Sequence, residues 1–485
     1  GYRVETDGTV LGQQENNGGI SWRPISKIGA RLAVLNDLSP SATFIANNYN
    51  HPENYDSFEK HVSKISQEIE KELGWMYETL HNSEASQELK AVESLRRGTR
   101  VELQELGVVG KINYTIWSDV FGCSECAGEI VYWNASVDSD AGALRDKFAC
   151  PHCGSIQSKR TLERVWNSSI DMLTGEPIRH AKQVPVEINY SVGTKNHSKK
   201  PTPYDFELLS YIEKKPVPEW CPTDELPFGF NTRQPKESHG LAKVHHFYTK
   251  RNLIVLSSLY AIARNSRSSL LQDVVNNMLT RANKQSSLHV SNYFNGGGGV
   301  CKGHLTGTLY VPSLSPEIPA TKIFSDRIKT FKRWLTVFRS KEKNSITTSS
   351  AASLSLESES VDYVFIDPPF GRNIMYSEVN FIDEAWHKVF TNNISEAIES
   401  DAQSKTLDDY RGLMCAAFKE AYRVLKPGRW MTVEFSNTQA TVWNAIQTAL
   451  QEAGFVVANV SALDKKQGSF KAVTTTTAVK QDLVI

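Results

Sequence analysis

The chain has 485 residues, with 54 Lys and Arg balanced by 54 Asp and Glu, and 40% of it is hydrophobic. That is room for roughly three domains of about 150 residues, in a chain too apolar to be disordered and too evenly charged to be a uniformly basic nucleic-acid coat, although a local basic surface stays open. No run of about 18 apolar residues offers a membrane span, and Gly1-Tyr2-Arg3-Val4 lacks the charged and apolar blocks of a signal peptide.

Residues 1–30 are polar, with a turn at Asn16-Asn17-Gly18-Gly19. Ala30 to Asp37 reads as a short buried strand ending in a carboxylate. Ser39-Pro40 opens a helix to about Asn48. Phe58, Val62, Ile65, Ile69, Leu73, Met76 and Leu80 recur at intervals of three and four, which predicts one long amphipathic helix, with a second near 87–97. Residues 100–165 change to short strands, and 185–240 read as loop, rich in proline. Residues 244–290 are helical again. Asn295 and Gly296 to Gly299 make a flexible loop. Asp326 to Lys343 is a basic helix with seven Lys/Arg against two acids. Ser345 to Ser360 is either a Ser/Thr-rich linker or a short strand at Ile346 to Ser349 with a loop. Val361 to Ile366 is an apolar strand. The rest alternates: helix 406–424, turn Lys426-Pro427-Gly428, strand Trp430 to Phe435, helix 440–452, strand Phe455 to Val460 and strand Val473 to Val479. Such alternation indicates a doubly wound α/β sheet.

Seven cysteines, an odd number in a large chain, argue against a disulfide framework. Four form two pairs, Cys123-Ser124-Glu125-Cys126 and Cys150-Pro151-His152-Cys153, with 23 residues between them. Each pair can bring two thiolates to a tetrahedral ion, and four close its shell. This predicts a structural zinc site with no position for a catalytic water; the alternative is a set of reduced thiols without metal. His152 is a bystander, and Cys221, Cys301 and Cys415 are packed thiols. His81, His239, His245 and His246 have no nucleophile at informative spacing and read as polar or surface residues.

Asp367-Pro368-Pro369-Phe370-Gly371 follows the apolar strand, at the carboxyl end where open α/β sheets bind ligands. The prolines fix the backbone and remove two donors. Asp367 and the Pro368 carbonyl can each accept a hydrogen from a planar amine, while Phe370 offers a stacking face. Drawing on both hydrogens raises electron density on a weakly nucleophilic nitrogen. The plainer alternative is a rigid strand-to-loop turn.

These residues resemble the (D/N/S)PP(Y/F/W) motif of S-adenosylmethionine-dependent DNA amino-methyltransferases. With Leu35 to Ala42, Gly74 to Thr79, the cysteine pairs, Phe247 to Asn252 and Arg423 to Gly428, the chain resembles the adenine-specific DNA methylases that carry a zinc ribbon. The resemblance implies a Rossmann-like methyltransferase sheet, α/β in class, interrupted by a large α+β insert. Residues 1–50 and 345–485 would form the methyltransferase part. Residues 51–344 would form a target-recognition insert, with the ribbon at about 115–160. Asp367, Pro368, Pro369 and Phe370 would act on the base, Asp37 would bind the donor's ribose hydroxyls and Ser350 its adenine. The plainer alternative for Asp37 is a carboxylate facing a helix N-terminus.

The family's FxGxG donor loop does not precede Asp37, which leads to the expectation of a chain trimmed at both ends. Lys195, Lys199, Lys200, Lys250, Arg251 and the basic helix would track a phosphate backbone. The resemblance further implies double-stranded DNA as partner, a restriction or defence-system nuclease beside it, and a cytoplasmic location. It leaves oligomeric state and recognition sequence open. Rival readings are cytosine N4, RNA or a protein amide as substrate, or a DNA-binding zinc protein without catalysis.

Overall fold

The computed structural model describes residues 1–16, 19–29, 31–296, 298–337, 344–437, 439–463 and 482–485. Strands β1 (Tyr2–Val4), β2 (Thr9–Asn16) and β3 (Gly19–Lys27) form an antiparallel sheet where the sequence suggested only a turn. β1 and β3 are almost wholly exposed, so they lack the apolar alternation by which a half-buried strand is read. β4 (Val34–Asp37) is shorter than expected, and it is not buried: Val34 is 43% and Leu35 36% exposed. α1 (Pro40–Asn50) follows, capped by Ser39 with Pro40 in its first turn.

α2 (Tyr55–Leu73) buries Phe58, Val62, Ile65 and Ile69 as their spacing predicts. The helix stops before Met76 and Leu80, however. A 3-10 turn at Gly74–Tyr77 leads into β5 (Glu78–His81), which takes both side chains into the same core. A spacing of four returns to one face in a strand as well as in a helix, so the pattern could not mark the change. α3 (Ala85–Arg96) is the helix expected near 87–97.

β6 (Val108–Gly122) is a 15-residue strand at the centre of a seven-stranded sheet. Beyond β7 (Glu129–Val131), β8 (Trp166–Ile170) and β9 (Pro177–Ala181) make a separate hairpin. β10 (Gln183–Val192) pairs antiparallel with β6 and with β11 (Lys195–Lys199). These strands, with α4 (Pro203–Glu213) and α5 (Phe230–His239), occupy the stretch expected to be loop. Proline misled there: Pro203 sits in the first turn of α4, where no N–H is needed, and Pro235 lies inside α5.

α6 (Lys250–Ser266) and α7 (Ser269–Leu279) are separated by Arg267 at φ 56° and by the Ser268 cap. β12 (Leu314–Glu317) joins β6 antiparallel. α8 (Ala320–Val337) is the basic helix, beginning six residues before Asp326; residues 338–343 of that prediction lie outside the described residues. Helices α2, α6, α7 and α8 share one large apolar core with β5 and β10, through side chains such as Phe58, Leu80, Ile188, Leu256, Met278 and Phe324.

The Ser/Thr-rich stretch contains a strand and is no linker. β13 (Ser345–Thr348) runs parallel to β4, with Ser345 opposite Val34 and Thr348 opposite Asp37. β14 (Val361–Ile366) precedes α9 (Phe381–His387) and α10 (Leu407–Val424). It pairs in parallel with β15 (Leu425–Phe435), inside which the expected turn at Lys426 to Gly428 appears as a shift of register. α11 (Ala440–Glu452) follows as expected. The strand expected at 455–460 is found instead as β16 (Ser461–Leu463). The expected strand at 473–479 lies outside the described residues. β17 (Asp482–Val484) is antiparallel to both β15 and β16, giving the order β14-β15-β17-β16. The chain is thus a mixed α/β protein with several sheets.

Alternation places Ile366, Met431, Val433 and Phe435 against α10 and α11, in a second core with Tyr410, Phe418 and Ile446. The opposite face presents Tyr363, Phe365 and Trp430, at 54%, 58% and 65% exposure. Parallel strands are ordinarily covered on both faces. β4 and β14 are not hydrogen-bonded to each other among the described residues. They nevertheless run in the same direction. Arg31 acts on Asp362 at their amino ends, and Asp37 and Asp367 both act on Tyr376 at their carboxyl ends.

Candidate functional site

Asp367 follows the last residue of β14 and is exposed, whereas Pro368 beneath it is buried. The loop is held from three sides. Tyr410 Oη donates to the Pro369 carbonyl at 2.8 Å, and Asn437 Nδ2 donates to the Phe370 carbonyl at 3.0 Å. Gly371 takes φ 66°, a conformation that disfavours a side chain. Phe370 packs edge-on against Phe435, with ring centres 5.2 Å apart. Buried Tyr410, a member of the α10 face, therefore ties the loop to the second core, and burial raises its phenol pKa. The segment beyond Gly371 is anchored in the large core by Trp386, which is fully buried and donates to Tyr248 Oη at 3.2 Å.

Asp37 ends β4 as expected. Partial burial raises its carboxyl pKa, against hydrogen bonds from the Ser39 and Leu38 backbone that lower it; the Ser39 N–H lies 2.8 Å away. Ser350 lies two residues beyond β13, whose last residue is opposite Asp37. The Ser349 N–H donates to the Asp37 carbonyl at 3.1 Å, and Ser350 Oγ accepts from the Ala352 N–H at 3.3 Å. Asp37, Ser350 and Asp367 thus all lie at carboxyl ends of parallel strands.

Sequence reasoning missed two groups that join these ends. Burial raises the pKa of Tyr376, and the Asp367 and Asp37 charges raise it further; this phenol therefore lies within electrostatic reach of both carboxylates. Glu384 is buried. It accepts from Ser39 Oγ at 2.6 Å and from the Thr391 N–H at 2.8 Å, while Asn380 Nδ2 donates to Ser39 Oγ at 3.1 Å. The turn after Asp37 is in this way clamped to the segment after Asp367. Ser39 lay in a stretch already singled out, but no local pattern marks Glu384 or Tyr376.

The four paired cysteines converge. Their sulfurs all lie within 4.8 Å of one another, with Cys123 3.8 Å from Cys153 and Cys126 3.8 Å from Cys150. The two knuckles repeat one hydrogen-bond pattern: Ala127 N–H to the Cys123 carbonyl and Gly154 N–H to that of Cys150, with Ala127 and Gly154 both at positive φ. Ser155 lowers the pKa of Cys123 and Cys153. Cys126 is shifted the other way: burial and three neighbouring thiols outweigh a hydrogen bond from the Gly128 backbone. Four thiols this close cannot all ionise without a cation, so the set fits a tetrahedral ion. His152 Nε2 lies 2.8 Å from the Glu129 carbonyl and is turned away from ligand duty.

Several cations expected on a DNA-facing surface are engaged inside the protein. Arg251 is buried and bonds Glu317 at 2.5 and 2.7 Å. Lys199 bonds Asp205 at 3.0 Å, and Lys332 of α8 pairs with Glu59. The histidines also have partners: His239 meets Asp119 at 3.3 Å, and His245 and His246 converge on Asp171. Among the described residues, Gly19 begins β3 and Gly296 caps the short helix Val290–Asn295, and neither belongs to a strand-to-helix loop.

Residues 361–484 match the N6_N4_Mtase family model, described as DNA methylase. The match begins at the first residue of β14 and takes in Asp367 to Gly371, α10, β15 and α11. It covers about a quarter of the chain and supports DNA methylation at an exocyclic amine, adenine N6 or cytosine N4 alike. No curated protein matches the chain. Among the described residues, no helix is long and apolar enough to cross a membrane.

Proposed function

We propose that this protein transfers a methyl group from S-adenosylmethionine to the exocyclic amine of a base flipped out of double-stranded DNA, with adenine N6 as the target. The observation that carries the reading is Asp367-Pro368-Pro369-Phe370 at the carboxyl end of a parallel strand, within the segment that matches the DNA methylases. When bound, the donor supplies a methyl group on a sulfonium. Asp367 accepts one N–H of the target amine and the Pro368 carbonyl the other, with the base stacked on Phe370. The nitrogen lone pair forms the new C–N bond as the methyl–sulfur bond breaks, and Asp367 takes up the proton that the product nitrogen sheds. No covalent enzyme intermediate is involved; positioning and electrostatics do the catalytic work.

On this reading Asp37 accepts the donor's two ribose hydroxyls and Ser350 borders its adenine. Residues 1–50 and 345–485 act as a Rossmann-like methyltransferase unit around a recognition segment at 51–344. Cys123, Cys126, Cys150 and Cys153 hold a structural Zn2+ in a ribbon within that segment. Adenine follows from the Asp that begins the motif, by family resemblance.

The test is incubation with double-stranded DNA and labelled S-adenosylmethionine, then mass spectrometry of the digested nucleosides. N6-methyladenine is the expected product. N4-methylcytosine would correct the base. Donor binding without DNA label would shift the substrate to RNA or a protein amide. Absence of donor binding would favour a zinc protein without catalysis.

A further inference from the structure

A cavity of about 530 Å³ lies between the β8–β9 hairpin and the helical core, away from the strand ends described above. Asp171, His245 and His246 line it together. Asp171 sits at the hairpin tip, where its N–H donates to the Glu176 carbonyl and its own carbonyl accepts from the Gly175 N–H, both at 2.8 Å. One carboxylate oxygen accepts from the Leu173 N–H at 2.9 Å. The other faces His245 Nε2 at 2.7 Å and His246 Nε2 at 3.2 Å. The histidines come from the 3-10 turn Val244–Phe247, just before α6. All three side chains are at most 10% exposed.

A hydrogen-bonded triad explains this arrangement only in part. His245 Nε2 points at a carboxylate. Its Nδ1 is buried and makes no well-formed hydrogen bond, and the acceptor facing that ring is the Pro222 carbonyl. Both ring nitrogens therefore face acceptors, and a neutral imidazole has only one proton to offer them. A cation between His245 Nε2 and Asp171 resolves the conflict: Nε2 offers its lone pair, and Nδ1 keeps the proton and points it at Pro222. An acceptor placed beyond Nδ1 is what usually orients a metal-bound histidine.

His246 Nε2 faces the same carboxylate oxygen at 3.2 Å, and the three ligand atoms lie within 4.8 Å of one another. Coordination through His246 Nε2 gives up one long contact, 3.3 Å from the Lys243 N–H to Nδ1. Bonds of about 2.0 Å to a tetrahedral ion set ligand atoms roughly 3.3 Å apart. The ring and carboxylate then separate by a fraction of an ångström, toward the adjoining cavity.

We propose that Asp171, His245 and His246 form a second metal site, distinct from the four cysteines, which takes a divalent transition ion such as Zn2+ and staples the β8–β9 hairpin to the helical core. Two imidazoles and one carboxylate suit zinc and its neighbours, and the remaining positions open on the cavity. The inference is independent of the methyl-transfer reading.

The test is titration of the metal-free full chain with Co2+, followed by absorption spectroscopy. The expected result is two ions per chain, one with thiolate-to-cobalt charge-transfer bands and one with only weak ligand-field bands. The thiolate-free ion should be lost in Asp171→Asn and in His245→Gln, with the thiolate bands retained. A thiolate-free ion in the wild type would still support the site if the cysteines stayed empty. Saturation with thiolate bands alone would overturn the inference, as would a thiolate-free ion that survives both substitutions. Thiolate bands alone in the wild type would overturn the inference even if a variant failed to fold.

Discussion

The two kinds of sheet in this protein use charge in opposite ways. Around β6, charged and polar side chains are buried against each other: Arg251 with Glu317, and Asp119 with both Arg164 and His239. At the ends of β4 and β14, Asp37 and Asp367 face solvent beside Tyr376. Arg251 and Glu317 satisfy each other and have nothing left for a ligand. An exposed carboxylate on a backbone fixed by buried neighbours is ready for one. Position in the fold, more than residue type, therefore separates scaffold from site.

Substitutions should divide along that line. Arg251→Met leaves Glu317 buried and uncompensated and should cost about 3–5 kcal/mol of stability. Urea unfolding would measure it, and adding Glu317→Gln should recover part of the loss. A loss below about 1 kcal/mol would mean that the pair is solvated. Asp367→Ala should do the reverse. Methylation should fall by about 100- to 1,000-fold, the scale of removing a group that stabilises a transition state, while the melting temperature stays put. If methylation persists, the role assigned to Asp367 is wrong.

Asp119→Asn gives a smaller effect with a signature in pH. Burial pushes this carboxyl up, but His239 and Arg164 outweigh it and hold its pKa near about 2. A depressed acid stabilises the fold fully above its unfolded value of about 3.9, and the contribution is lost as pH falls through about 2. The gap between wild type and variant should be about 2 kcal/mol at neutral pH and shrink through that window. Thermal melts against pH would show a constant gap if the pairing were incidental. Smallest of the four, Asp37→Asn should weaken binding of the donor by about tenfold, the lower end of charge-assisted hydrogen bonds. Calorimetry with S-adenosylmethionine measures this, and unchanged affinity would return Asp37 to a role in helix capping.

What the sequence made legible follows the same division. α2, α10 and α11 could be read because each buries one face, so apolar spacing records the packing, and β14 because its apolar residues run together. The cysteine pairs and Asp367 to Phe370 could be read because their chemistry sits within a few residues. β1 to β3 could not, since exposed strands carry no such period. The clamp from Ser39 to Glu384 and the meeting of Asp171 with His245 were out of reach for another reason. Their partners are 345 and 74 residues apart, and neither residue of a pair has a local pattern that names the other.

The aromatic face of β14 and β15, which the described residues leave exposed, carries its own reporter. Trp430, 65% exposed, stands among Tyr363 and Phe365, and an indole in water emits at longer wavelength than one in an apolar contact. The chain holds ten tryptophans, so a difference spectrum against Trp430→Phe would isolate its signal. Any polypeptide or ligand that came to lie on that face would shift this emission to the blue, giving a label-free optical readout of when the sheet is covered.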